Sequence, residues 1–255
     1  MHARRPISRD PWRSPFSRLS RRLRRPVPVG VAVAATLLVL VLGNLANNRW
    51  AREWSLPLSL LATAVLLAIV YWAGGRWADV GLARGTLLRG LCWALALIGI
   101  VAAGYGLAAA LPVTRGLFED QRQSGLSGGE VALRALVTVP FGTVLLEEVA
   151  FRGVLFGLLL RSRGPLAATL VSSGLFGLWH ILPSLGLADA KPALGGAFGH
   201  SVIGTLVVDA GAVLFTAVAG CLFCALRRRS GSLLAPMGLH WATNALGYVF
   251  GFLLR

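Results

Sequence analysis

Long apolar runs constrain this chain more than any other feature. A bilayer core of about 30 Å is crossed by roughly 20 apolar residues in a helix, and runs of that order fall near 27–45, 56–74, 90–112, 137–161, 164–183, 201–226 and 231–254. Charged or turn-forming stretches separate them: NNRWAREW, GGRWADVGLARG, RSRGP, GLADAKPALGG and RRRSG. In lipid, a spanning segment must satisfy its own backbone hydrogen bonds. The expected fold is therefore all-α, a polytopic membrane bundle of about seven helices (six to eight). With 56% hydrophobic and 14% charged residues and a mean hydropathy of +0.70, the composition excludes a soluble globular domain.

The chain reads as three parts. Residues 1–25 form a basic, Pro- and Ser-rich cytoplasmic tail expected to be disordered or to lie on anionic headgroups. Residues 26–136 hold three spans and a polar connection whose end reads as an interfacial amphipathic turn. Residues 137–255 hold four spans. The first run, 27–45, is too long for a signal core and lacks a small-residue cleavage site, so it reads as a retained anchor. A net charge of +15 raises the question of nucleic acid, but nine of the 25 basic residues sit in the first 25 positions and most others flank apolar runs. That is how a membrane protein orients itself, and no nucleic-acid partner is expected. The tail and the loops after spans two, four and six hold 17 Lys and Arg, against seven on the other side. The N-terminus is predicted cytoplasmic and the C-terminus outside, in a multi-pass protein of the cell membrane. Cys92, Cys221 and Cys224 lie in apolar runs and offer no disulfide framework; the CLFC pair, Cys221 and Cys224, reads as buried small hydrophobes.

Few polar groups interrupt the last four runs. Each ionisable residue there costs roughly 2.5 to 3.5 kcal/mol on insertion scales and faces a cavity or a partner. The fourth run contains LLEEVAFRG, in which Glu148 and Arg152 are i, i+4 in the favourable order. Glu147 has no basic residue at i+3 or i+4 and is left over as a candidate general base. His180 closes the fifth run in FGLWHILP, and His240 with Asn244, again i, i+4, stand in GLHWATNALG. At 1.5 Å per residue, Glu147 lies about 12 Å into span four and His240 about 13 Å in from the opposite face. Glu147, His180 and His240 are thus expected to line one cavity. A carboxylate and an imidazole can polarise a water while a second imidazole and an amide stabilise an oxyanion. Alternatively, Glu147, His180 and His240 are three ligands that catalytic zinc accepts. Zinc is the one candidate cofactor, and the residues leave both chemistries open. Other intramembrane chemistries lack their motifs: there is no H-E-x-x-H, no G-x-S-x-G and no partner for Asp209, which is read as facing the bundle interior.

The ordered motifs EEVAFRG, FGLWH and HWATN fit E-E-x-x-x-R, F-x-x-x-H and H-x-x-x-N, and in this order the chain resembles the CPBP family of intramembrane proteases, which includes CAAX prenyl endopeptidases and bacteriocin-processing or immunity proteins. The resemblance covers about residues 137 to 250. It implies an intramembrane endopeptidase with Glu147 as the water-activating base aided by His180, Glu148 and Arg152 as a supporting pair, and His240 with Asn244 as the oxyanion site. Glutamate-dependent and metal-dependent mechanisms are both associated with such proteins. The implied partners are membrane lipids and a peptide or membrane-anchored protein substrate; the motifs do not name that substrate. A non-catalytic immunity or scaffold protein is the alternative, and a small proton-coupled transporter the third reading. The resemblance implies a site open to the cytosol, whereas the charge count puts the Glu147 and His180 end outside.

Overall fold

The computed structural model describes residues 26–255; the basic tail lies outside the described residues. Among these residues the regular elements are all helical. Helix α1 (Val29–Leu45) widens into a π turn (Ala46–Trp50), followed by α2 (Ser55–Trp72) and α3 (Arg84–Ala110). Helix α4 spans 128–163, α5 spans 165–179, and α6 (Val202–Ser230) and α7 (Leu234–Leu253) complete the set. Three short helices, Ile181–Ser184, Leu187–Ala190 and Pro192–Phe198, fold between α5 and α6.

Four helical segments are long and apolar enough to cross a membrane by length and composition: Val29–Trp50, Arg52–Trp72, Arg84–Ala110 and Val202–Ser230. Their outer faces leave large apolar side chains uncovered, among them Leu95, Ile100 and Leu107 on α3 and Leu206, Leu214 and Val218 on α6. A contiguous apolar exterior of this kind is costly in water and suits lipid. Exposed Trp50 and Trp54 at one end, and Tyr71, Trp72 and Trp77 at the other, mark the two headgroup levels. The protein is an all-α membrane helix bundle. Helices α4 and α7 carry the buried Glu147, Glu148, Arg152 and His240.

Helix α4 departs from the simple span expected from 137. It starts at Gly128, where Ser127 and Glu130 form a reciprocal capping box. The polar stretch taken for an interfacial turn is the first turn of the same helix. Pro140 does not break it: residues Arg134–Val144 wind as a π-helix instead, a widening that accommodates the missing proline N–H. The break between α4 and α5 comes at Gly164, whose φ of 80° and ψ of 177° leave the helical region just before Pro165.

The connections gather at two ends. At one, Leu233 N–H donates to the Gly81 carbonyl (2.9 Å), and Arg89 Nε donates to the Ser230 carbonyl (2.6 Å). At the other, Phe118 stacks on Phe250 (5.5 Å), Arg255 donates to the Leu126 and Gln123 carbonyls, and Lys191 Nζ lies 3.5 Å from Asp120. The core between them is built on Leu66, Leu146, Phe151, Leu155 and Phe176.

Candidate active site

Glu147 ends a single α turn (Leu145–Glu147), and Glu148–Leu155 then wind as a π-helix whose every residue is buried. Such segments are rare and frequent at functional sites. Glu148 and Arg152 have no exposed side-chain surface and form the expected pair, Arg152 Nη1 to Glu148 Oε1 at 3.1 Å. The arginine has a second kind of support that sequence spacing did not indicate. Its guanidinium carbon lies 3.8 Å from the ring centre of Phe176 and 4.7 Å from that of Phe223, so two aromatic faces hold the cation.

Glu148 does more than neutralise Arg152. Its Oε1 also meets His240 Nδ1 at 2.8 Å, so the EE motif and α7 are joined by an arginine–carboxylate–imidazole chain. The other nitrogen of that ring, Nε2, faces Glu147 Oε2 at 3.7 Å. From α5, His180 directs its Nε2 to the same oxygen at 3.9 Å. His180 Nδ1 lies 2.8 Å from the Phe176 carbonyl, a contact that places the proton on Nδ1 and leaves Nε2 with a lone pair. Glu147 Oε1 accepts from Trp179 Nε1 (3.0 Å), whereas Oε2 is buried with no hydrogen-bond partner. The three expected residues converge on one atom, and Trp179 is the participant that sequence reasoning missed. Its only signal is adjacency to His180 inside an apolar word.

A cavity of about 710 Å³ lies directly over this cluster. Its floor includes His180, Thr143, Thr243 and Asn244, and its rim comes from the 117–123 and 183–191 segments. Glu147 lies one turn beyond Thr143 on α4, beneath that floor. At the rim Asp120 is gripped by Arg122 through Nε (2.9 Å) and Nη2 (2.7 Å), with Lys191 at 3.5 Å. Burial alone would raise the Asp120 carboxyl, but hydrogen bonds and charge from Arg122, with the Lys191 charge, hold it below the usual carboxylate value. The same pairing raises the Arg122 guanidinium despite its burial.

Glu147, His180 and His240 are a donor set that zinc accepts. As placed, they do not make a coordination group: among the described residues no three His, Cys, Asp or Glu side chains are arranged to hold a metal ion. The separations of 3.7 and 3.9 Å around Glu147 Oε2 are too long for direct hydrogen bonds and short enough for one water to touch each partner. The cysteines are free; of the CLFC pair expected to be buried, Cys224 is buried and Cys221 is partly exposed, while Cys92 is exposed on α3. Asp209 is half-buried, with Oδ1 unpartnered.

No curated protein and no solved structure matches the chain. Residues 129–246 match the family model described as type II CAAX prenyl endopeptidase Rce1-like. That segment starts at the first turn of α4 and ends just beyond Asn244, so it encloses all six motif residues in their order. The match spans just under half of the chain, and over residues 129–246 the chain is similar to the type II CAAX prenyl endopeptidases.

Proposed function

We propose that the protein hydrolyses a peptide bond at the membrane with a water activated by Glu147 and His180. The observation that carries this reading is the bare Glu147 Oε2, buried without a partner and facing two imidazole nitrogens. A water held there donates to the carboxylate and to His180 Nε2. Its oxygen attacks the scissile carbonyl carbon as Glu147 takes the proton. Glu147 then returns that proton to the leaving nitrogen as the C–N bond breaks. His240 is held through Nδ1 by Glu148 and turns Nε2 toward the oxyanion position, where that nitrogen donates when it carries a proton, with the Asn244 amide as a second donor from the cavity floor. Glu148 and Arg152 position His240 and do not touch substrate. Trp179 holds the second oxygen of Glu147 so that Oε2 stays aimed at the water.

The test is cleavage of a mixed peptide library by the purified protein in lipid discs, read by mass spectrometry. Glu147→Gln and His180→Ala are expected to lower cleavage by about 10²- to 10⁴-fold, the range for a lost acid–base group, and Asn244→Ala by about 10²- to 10³-fold. Retained thermal stability of each variant separates this from misfolding. Undiminished cleavage by Glu147→Gln would sink the proposal. A chelator arm is expected to leave the rate unchanged; loss of activity restored by zinc would transfer water activation to a metal.

A further inference from the structure

Two consecutive side chains at the end of α5 reach Glu147. Trp179 Nε1 donates to Glu147 Oε1 at 3.0 Å, and His180 Nε2 faces Oε2 at 3.9 Å. The aim of both carboxylate oxygens therefore depends on one backbone unit, the 179–180 peptide. It stands where α5 stops: His180 has φ −85° and ψ 0° and leaves the helix. The last carbonyls of a helix have no partner inside it. Here the Phe176 carbonyl meets His180 Nδ1, and the Gly177 carbonyl accepts the His180 backbone N–H at 3.0 Å. The Trp179 carbonyl, which belongs to the 179–180 peptide itself, takes its donor from another helix. That donor is Asn44 Nδ2 on α1, at 2.8 Å and 135 positions away.

The asparagine is itself oriented. Asn48 Nδ2, one turn on, donates to Asn44 Oδ1 (2.7 Å) and to the Asn44 carbonyl (2.9 Å). A carbonyl only accepts, so with Oδ1 engaged the amide nitrogen is the end turned to Trp179. Asn47, three residues on, bonds elsewhere: its Nδ2 donates to Ser59 Oγ on α2 at 3.0 Å. Amide side chains of membrane helices commonly hydrogen-bond across helices, but only Asn44 of this pair reaches the catalytic end of α5. We propose that Asn44 is a positioning residue for hydrolysis: by holding the Trp179 carbonyl it fixes the 179–180 peptide, and through Trp179 and His180 the aim of Glu147. The role rests on the endopeptidase reading above. It brings α1, which lies outside the matched 129–246 segment, into the working site.

Asn44→Leu keeps the bulk of the side chain and Asn44→Ala removes it; neither can donate. Both are expected to lower kcat by about 3- to 10-fold, the size of one net hydrogen bond, with KM close to wild type because substrate binding is untouched. Asn47→Leu, which cuts an α1–α2 bond of the same kind, is expected to leave kcat as in wild type. An equal loss of kcat in Asn47→Leu, or none in Asn44→Leu and Asn44→Ala, would overturn the proposal. A second measurement reads the positioning without cleavage, by nuclear magnetic resonance of tryptophan-labelled protein in lipid discs. The Trp179 indole N–H is identified by its loss in Trp179→Phe, and its shift in Glu147→Gln marks the bond to the carboxylate. Asn44→Leu is expected to speed deuterium exchange of that N–H by about 3- to 10-fold. The Trp241 indole, which donates to the Ala135 carbonyl at 2.8 Å, should keep its rate; unchanged exchange at Trp179 would overturn the proposal. A fully active Glu147→Gln would end the endopeptidase reading and leave the indole measurement to decide whether Asn44 positions Glu147. An inactive Glu147→Gln beside a fully active Asn44→Leu would end the positioning role alone.

Discussion

Arg152 is the largest fully buried side chain in the bundle. Its charge is met by one carboxylate and two aromatic rings, while its Nε and Nη2 have no hydrogen-bond partner. Removing one member of a buried ion pair leaves the other uncompensated, at about 3–5 kcal/mol. Arg152→Met should therefore lower unfolding stability in detergent by that order. Arg152→Lys should recover only part, because a compact ammonium keeps the charge and loses the planar fit against Phe176 and Phe223. A Met variant as stable as wild type would show that Glu148 is neutralised by His240 alone. Helical spacing separated the partners of the adjacent glutamates: i, i+4 gave Glu148 its arginine and left Glu147 without one. It could not show that His240 completes the chain to Glu148, since that contact spans 92 positions. Trp179 was illegible for a different reason. An indole in an apolar run looks like packing until its N–H is seen to donate to Glu147.

At the scale of elements, apolar run length located the helices but not the start of α4. Its capped first turns are polar enough to resemble a connection, and only the reciprocal Ser127–Glu130 bonds tie them to the span. The π-wound stretch through Pro140 was likewise hidden, because a proline announces a bend without saying how the backbone absorbs it. Where helices meet most closely, glycine sets the separation. A Cβ on Gly238 of α7 would sit 2.5 Å from Ala94 Cβ and 2.7 Å from Ala94 Cα on α3, whereas a Cβ on Gly104 of α3 would meet nothing within 4 Å. Gly238→Ala is thus expected to destabilise by about 1–3 kcal/mol through overpacking. Gly104→Ala should be neutral or slightly stabilising, since alanine is the better helix former by about 1 kcal/mol. Thermal unfolding of the two variants in the same detergent makes the comparison; equal melting would mean that α3 and α7 can slide apart freely.

The whole molecule combines a lipid-facing shell with a polar centre. Helices α1, α2, α3 and α6 are legible as membrane helices from run length, because lipid demands little beyond apolar side chains. Helices α4, α5 and α7 were legible through their motifs, because charge inside an apolar run needs a reason. Two features had no sequence signal: the 73–83 connection folding over one end, and the short helices after His180 packing along α6 to shape the cavity. Both are made by backbone contacts and small residues, which composition does not distinguish from ordinary loops. The central claim is that Glu147 activates the attacking water, and its most direct test is N-terminal profiling of membrane proteins from cells expressing the wild-type chain or Glu147→Gln at matched abundance. Glu147 catalysis predicts membrane-proximal N-termini that appear with the wild type and are absent with Glu147→Gln; the same new termini in both would contradict it.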